Sequence, residues 1–466
     1  MIRSCYILFV ITQVTLHLNA QVITFEKNYG YMANERGLQI EQTVSGAYLI
    51  LASGPYLMKI DSAGKFIWQK EYEGLLNVLQ KTADDKFLIL TSNGGSLSII
   101  KINEYGDSLT TIPVNVNSFN DPTAVYELYD GSYILMDTRY TTFPNQDIYL
   151  LKITSQGDSI WLRSYGGTGV NTGNKLLESN DSTMVVVGFS NIAPSGIWMF
   201  NIDGNGNTNW SKIYKTTYGA SDARLDLNNG LIALYDNYFS PYWAASFNLL
   251  KTNVMGDSIW SKTYGGTNDL YIAPYSIDQS ASDGGFIIGG VRYVYEDSIW
   301  SNHIFIMKTD SNGDSLWTRT FKGMKNKADD FAWSVKATND SGFILTGQRF
   351  ISDFTGTDVY VIKTDSLGKV YPPDTTTGVV RAKNENYKYE IYPNPNQGNF
   401  MLVMASVNQN LKTSVYLYNI LGELVYENDN IKNDYLNIDI SAQPKGIYLI
   451  KVKRGDEIFT DKIIHQ

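Results

Sequence analysis

Cysteine and histidine are nearly missing from this 466-residue chain, and their scarcity excludes whole reaction classes. The one cysteine, Cys5, lies in an N-terminal stretch that reads as a leader. The chain beyond that leader therefore has no disulfide, no thiolate metal site and no cysteine nucleophile. Of three histidines, His17 shares that leader, leaving only His303 and His465 as imidazole bases. His303 has no sequence-local partner and reads as structural or exposed. Basic runs are absent too, and 38 Lys+Arg against 47 Asp+Glu give a net charge of −9, so no nucleic acid partner is expected. Beyond the leader no apolar run is long enough to span a bilayer, and no Gly-rich loop opens a helix to cradle phosphate.

The leader itself has a positive Arg3, a mostly apolar stretch from Tyr6 to Leu18, and Ala20 before a cut at Gln21. Residues 1–20 are expected to be a secretory signal peptide.

The most abundant feature of the chain is repetition. Seven copies of one block recur at about fifty-residue spacing, a period that means stacked units unable to bury their apolar faces alone. Clear copies are Met307-Lys308-Thr309-Asp310-Ser311-Asn312-Gly313-Asp314-Ser315-Leu316-Trp317 and Leu250-Lys251-Thr252-Asn253-Val254-Met255-Gly256-Asp257-Ser258-Ile259-Trp260. The turn glycines are Gly64, Gly106, Gly157, Gly206, Gly256, Gly313 and Gly368. Upstream in each copy an Asp/Asn–Gly-type turn precedes an apolar run that often ends in Gly, as in Asp283-Gly284-Gly285-Phe286-Ile287-Ile288-Gly289. Each copy thus reads as four antiparallel strands, and seven such copies predict an all-β, seven-bladed β-propeller over residues 21–371. The seventh copy lacks a Trp strand, while Thr24-Phe25-Glu26-Lys27-Asn28-Tyr29-Gly30 matches one. The N-terminal strand is expected to complete the last blade, which removes an exposed sheet edge.

Residues 372–386 read as a Pro-, Asp- and Thr-rich linker, followed by alternating short strands that predict a small Ig-like β-sandwich. Within that segment stand Tyr392-Pro393-Asn394-Pro395, Gly398, Gly422 after Tyr418-Asn419-Ile420-Leu421, Gly446 before Ile447-Tyr448, and a closing Lys462-Ile463-Ile464. Together they resemble the type A C-terminal sorting domain of type IX secretion, over residues 387–466. The resemblance implies Sec export in a Gram-negative cell, then passage through the type IX machinery to the surface or medium. Pro393, Asn394, Pro395, Gly398, Gly422, Gly446, Tyr448 and Lys462 carry it.

The recurring Asp–x–x–Gly–x–x–x–Trp resembles the tryptophan-docking motif of quinoprotein-type propellers, with one residue fewer between Asp and Gly. That resemblance implies that Trp68, Trp161, Trp210, Trp260 and Trp317 brace neighbouring blades; no catalytic residue carries over, and no cofactor is expected. Asp310, Asn312 and Asp314 are spaced like the start of a calcium loop, and Asp203, Asn205 and Asn207 repeat the pattern, but neither stretch has a glutamate nearby to close one, so a hairpin turn is the better reading and no metal site is assigned. Binding is expected on the long second–third connections, where Tyr238, Tyr242 and Trp243 in the fifth copy and Tyr295 and Trp300 in the sixth gather aromatic rings beside acids. These features favour a non-catalytic scaffold for polysaccharide or a surface protein. The alternative is a secreted carbohydrate-active hydrolase or lyase that uses carboxylates on the same face.

Overall fold

The computed structural model describes residues 22–30, 34–116, 119, 122–179, 183–237, 246–265, 271–296, 299–323, 329–352, 356–371, 389–392, 394, 396–404, 413–429, 431, 435–454 and 457–465. Among them every regular element is a strand. Four-stranded antiparallel sheets succeed one another at 37–71, 75–113, 124–165, 171–215, 222–264 and 271–321. The seventh combines three strands from 331–364 with Phe25–Tyr29. The fourth-strand positions correspond across copies. Trp260 lies opposite Lys251, Trp317 opposite Lys308, and Phe25 opposite Lys363.

Burial explains the sequence pattern strand by strand. The second strand Tyr48–Ala52 is buried throughout, because sheets cover both its faces, and it reads as a continuous apolar run. The outer strand Ser258–Tyr264 alternates exposed and half-buried residues, as a strand covered on one face should. Apolar clusters lie between consecutive sheets, and one of them joins Ile344, Val359 and Phe25 of the seventh sheet to Ile40 and Ile50 of the first. The first strand of each sheet touches the first strand of the next, and Phe331–Ala337 of the seventh touches Gly37–Gln42 of the first.

Local chemistry fixes the turns. All seven third–fourth turn glycines have positive φ, from 69° to 92°. The residue after each third strand folds its side-chain oxygen back onto two backbone N–H groups. Asp310 accepts from Asn312 and Asp314 at 2.9 and 2.7 Å, and Asn253 accepts from Met255 and Asp257. The repeat lysine is buried or half-buried, and in five sheets it reaches the acid of the first–second turn in its own sheet, as Lys308 does to Asp283 (2.8 Å) and Lys363 to Asp340 (2.9 Å), whereas Lys59 reaches Glu104 of the next sheet.

Beyond residue 388 a three-stranded sheet (Tyr389–Tyr392, Asn399–Met404, Tyr435–Asp439) and a four-stranded one share a single apolar core that includes Phe400, Leu417, Ile438 and Ile450. No helix among the described residues is long and apolar enough to cross a membrane.

Candidate functional site

The first strands carry a repeated irregularity that aims side chains away from the sheets. In five of them one residue has no partner in the register: Leu38, Asn77, Asn174, Tyr275 and Trp333. Such a bulge bends the strand and re-aims the extra side chain. A glycine within the facing second strand lets the bulged backbone approach closely. A Cβ on Gly347 would fall 1.7 Å from the Phe331 carbonyl oxygen, and one on Gly290 2.2 Å from that of Ala273.

In the sixth and seventh sheets the bulged residues are aromatic and meet. Tyr275 lies 4.7 Å from Trp333 between ring centroids, and Trp333 stacks on Phe331 at 5.2 Å with the rings 5° from parallel. Tyr275 is also hydrogen-bonded to Tyr293, whose hydroxyl is held above its ordinary pKa by burial, with Asp329 nearby. Tyr293 shares a strand face with Tyr295, two residues on, toward the tip of the long hairpin Phe286–Glu296 and Ile299–Thr309. There Tyr295 pairs across the hairpin with Trp300, rings 5.0 Å apart, each side chain 50 % exposed. Six aromatic side chains thus run from the hairpin tip to the first strands.

Polar groups fix this platform. Trp333 Nε1 donates to Gln348 Oε1 at 3.3 Å, Gln348 Nε2 to the Asp329 carbonyl at 3.2 Å, and Asn302 Nδ2 to Asp329 Oδ1 at 2.7 Å. Beside it, burial pushes the Asp330 carboxyl up to about 7, opposed by the Arg349 guanidinium at 3.6 Å. Arg349 also reaches Glu26 of the N-terminal strand at 3.0 Å and lies over the Tyr360 ring.

Farther along the first strands the side chains are charged and paired. Arg224 pairs with Asp278, Lys175 with Asp222 at 3.0 Å, and Lys336 with Glu41 at 2.6 Å. Each pair joins neighbouring sheets, the last joining the seventh to the first. Burial lowers the Arg224 pKa against the pull of Asp222, Glu41 and Asp226.

Of the five aromatic residues singled out from sequence, Tyr295 and Trp300 come together. Tyr238, Tyr242 and Trp243 lie outside the described residues. Tyr275, Phe331 and Trp333 were missed, because which strand residue falls at a bulge depends on the partner's register. The tryptophans do brace neighbouring sheets: a Cβ on Gly313 would lie 2.7 Å from Trp260, and one on Gly106 2.6 Å from Trp68. His303 is buried, and its Nδ1 accepts from the Gly323 N–H at 3.4 Å.

In the C-terminal region Pro393 and Pro395 lie outside the described residues, and Asn394 between them clasps the last strand, Glu457–His465. Its Nδ2 donates to the Lys462 carbonyl at 2.6 Å, and its Oδ1 accepts the Ile464 N–H at 2.8 Å. Gly398 has φ 97°, and a Cβ there would meet the Ser441 backbone at 2.4 Å. Gly422 closes the turn after Asn419, Gly446 opens the strand Gly446–Arg454, and the buried Tyr448 donates to the Pro444 carbonyl.

Residues 390–466 match the family described as the secretion system C-terminal sorting domain. The tail marks the chain as a secreted or outer-membrane surface-attached protein of a Gram-negative cell of the Bacteroidetes type, handled by type IX secretion. No curated protein matches the chain. Among solved structures it is similar to YCF48 bound to D1 peptide, at 9% identity over 74% of this chain and 97% of that one, with a TM-score of 0.47. It is also similar to BamB from Moraxella catarrhalis, at 14% identity over 70% and 84% with a TM-score of 0.34. A fungal alcohol oxidase of the AA5 family in complex with copper is similar at 9% identity over 95% and 100%, with a TM-score of 0.46.

Proposed function

We propose that this chain is an exported binding protein: a closed seven-bladed β-propeller whose aromatic platform docks a polysaccharide or a surface protein. A signal peptide (1–20) starts export, and the propeller (21–371) is joined by a linker (372–386) to a sorting β-sandwich (387–466). Support for closure comes from the contact between the first strands of the seventh and first sheets and from the apolar cluster shared by those two sheets.

The observation that carries the binding reading is the Tyr295–Trp300 pair, two half-exposed rings held side by side at the tip of a long hairpin. Burial against the sheets would not place them there, whereas an aromatic surface fixed on a rigid hairpin offers contact area at low entropic cost. The non-catalytic reading draws support from the first-strand acids. Glu41, Asp222 and Asp278 each hold a Lys or Arg, so none is an unengaged carboxylate of the kind that a glycosidase pair requires.

The test is a glycan array probed with the full chain and with its Trp300→Ala and Trp243→Ala variants. Binding that falls about tenfold or more in at least one variant, a loss of about 1.4 kcal/mol, supports the platform. The platform is overturned if no glycan that the chain binds is weakened by either change.

A further inference from the structure

The third sheet carries a second projecting hairpin with aromatic rings at its tip. Its second and third strands, Tyr133–Thr142 and Asn145–Ile153, run ten and nine residues, against five each for Tyr48–Ala52 and Tyr56–Ile60 of the first sheet. Every sheet has the same strand order, so this connection leaves on the same face as the one between Glu296 and Ile299 in the sixth. At the tip Tyr140 and Phe143 stand with ring centroids 6.0 Å apart and planes 33° from parallel. They are 63 % and 84 % exposed, more than Tyr295 or Trp300, so burial against the sheets does not account for either ring.

The base of this hairpin is tied to the loop that leads into the fourth sheet. Gln146 bridges Val170 in parallel, and its N–H donates to the Gly169 carbonyl at 2.9 Å. Asn145 Oδ1 accepts the Gly169 N–H at 2.9 Å, and Asp147 Oδ1 accepts that of Gly167 at 2.8 Å. A Cβ on Gly166 would fall 2.0 Å from the same Asp147 oxygen, so the loop closes on it only with glycine there. The buried Asn171 adds a bond to the Gln146 carbonyl at 3.1 Å. The rings are thus presented on a base that is fixed before any ligand arrives, which lowers the ordering cost of binding.

Charge narrows the ligand class. From Tyr140 to Leu151 and from Tyr293 to Met307 neither hairpin has a lysine or an arginine. Arg139, just below the third-sheet tip, is already engaged. Its Nε donates to Asp137 at 2.8 Å, and its guanidinium lies over the Phe119 and Tyr149 rings at 4.5 and 5.1 Å. An acidic polymer therefore finds no free cation on either hairpin, whereas the apolar faces of neutral sugars can stack on exposed rings. Two ring pairs on one face, with the fourth and fifth sheets between their hairpins, suit a polymer whose unit recurs along its length.

We infer that the Tyr140–Phe143 pair is a second sugar-binding site, and that the ligand is a neutral polysaccharide chain touching both hairpins. This rests on the reading of the sixth-sheet platform as a binding surface, and adds to it the class of ligand and its form, a chain rather than a single sugar. One polymer that links two weak contacts binds more tightly than either contact alone, with no new contact at either.

Affinity electrophoresis of the full chain through gels containing starch, arabinoxylan, galactomannan or β-glucan tests this, with pectate as the acidic counterpart and trisaccharides of the neutral polymers as competitors. At least one neutral polymer is expected to retard the chain, and its trisaccharide to bind at least tenfold more weakly. Tyr140→Ala/Phe143→Ala and Trp300→Ala are each expected to weaken the polymer at least tenfold. Because both rings are exposed, the double variant is expected to melt with the parent chain. Tyr140→Phe/Phe143→Tyr, which keeps both rings, is expected to bind as the parent does. The inference is overturned if no neutral polymer binds, which leaves the platform only a protein partner. It is also overturned if pectate binds more tightly than every neutral polymer, or if the trisaccharide binds as tightly as its polymer. A loss confined to Trp300→Ala removes the third-sheet site and spares the platform. A loss confined to the double variant removes the platform instead, and with it the chain touching both hairpins.

Discussion

Phe25 lies on Gly64 as Trp260 lies on Gly313: a Cβ built on either glycine would fall 2.7 Å from the ring. The Tyr29 hydroxyl donates to the Gly64 carbonyl at 2.6 Å, as Tyr264 does to that of Gly313 at 2.5 Å. The N-terminal strand therefore reproduces the inter-sheet contact of the other copies on the first sheet, some forty residues downstream.

A control glycine separates this contact from backbone strain. Gly64 has φ 70° with a ring against it, whereas Gly46 has φ 81° and open space around it. Gly46→Ala is expected to cost about 1 kcal/mol, from strain alone. Gly64→Ala is expected to cost about 1–3 kcal/mol more, the range for overpacking. Phe25→Ala is expected to lose about 3 kcal/mol or more through the cavity it leaves. Thermal and urea unfolding measure all three, and equal costs for the two glycines would refute the Phe25–Gly64 contact.

Two kinds of carboxylate set the pH dependence, with opposite signs. Asp330 is raised to about 7 by burial, against Arg349, while its unfolded value is about 4. The folded state therefore holds its proton more tightly, and the resulting stabilisation is complete below about pH 4 and lost as pH rises through about 7. Asp283 and Asp340 are lowered: burial acts to raise them, but hydrogen bonds from Lys308, Lys363 and the turn prevail. Their contribution is present above about pH 4 and lost below it. Between pH 5 and 8 the Asp330 slope thus stands apart from theirs. Asp330→Asn is expected to flatten the fall in melting temperature over that window. A residual slope is expected from Glu178 and Asp236, which burial also raises. An unchanged slope would refute the assignment to Asp330.

The buried Lys308–Asp283 pair should respond asymmetrically to its two truncations. Lys308 is 2 % exposed, whereas the Asp283 side chain is about half exposed. Lys308→Met keeps the apolar stem and leaves an acid that water can reach, so a cost of about 1 kcal/mol or less is expected. Asp283→Ala leaves an ammonium buried without its carboxylate, and about 3 kcal/mol is expected, the lower end for such a loss. Urea midpoints that fall equally for both variants would contradict this geometry.

The sequence carried the period, the seven turn glycines and the tryptophan positions, because each depends on local chemistry repeated in register. It also carried the pairing of Phe25 with Lys363, since one copy had a surplus strand and another lacked one. The lysine–acid pairs were hidden, because Lys308 and Asp283 meet only after two strands have registered. The bulges that bring Tyr275 to Trp333 were hidden for a related reason: the unpaired residue is defined by its partner strand, not by its own neighbours. Tyr295 was visible as a loop aromatic, but nothing local joined it to Trp333.

Asn394 links the sorting motif to the end of the chain. Its side-chain amide bonds both the Lys462 carbonyl and the Ile464 N–H, so it acts as one strand residue would toward the edge of Glu457–His465. The next residue but one extends the clasp, with the Asn396 N–H donating to the Ile464 carbonyl at 2.8 Å. Asn394→Asp keeps the acceptor but places a carboxylate against the Lys462 carbonyl oxygen. Asn394→Ala removes both bonds and is expected to cost about 1–3 kcal/mol, two side-chain hydrogen bonds at about 1 kcal/mol each. Because the motif and the last strand are joined by this clasp, both variants are expected to lower the amount of protein in the medium and at the cell surface and to raise the periplasmic pool. Near-ultraviolet circular dichroism of the purified variants should stay close to that of the parent chain, since the tryptophans lie in the seven-sheet region. Secretion at the parental level from Asn394→Ala would show that the tail is recognised without this clasp.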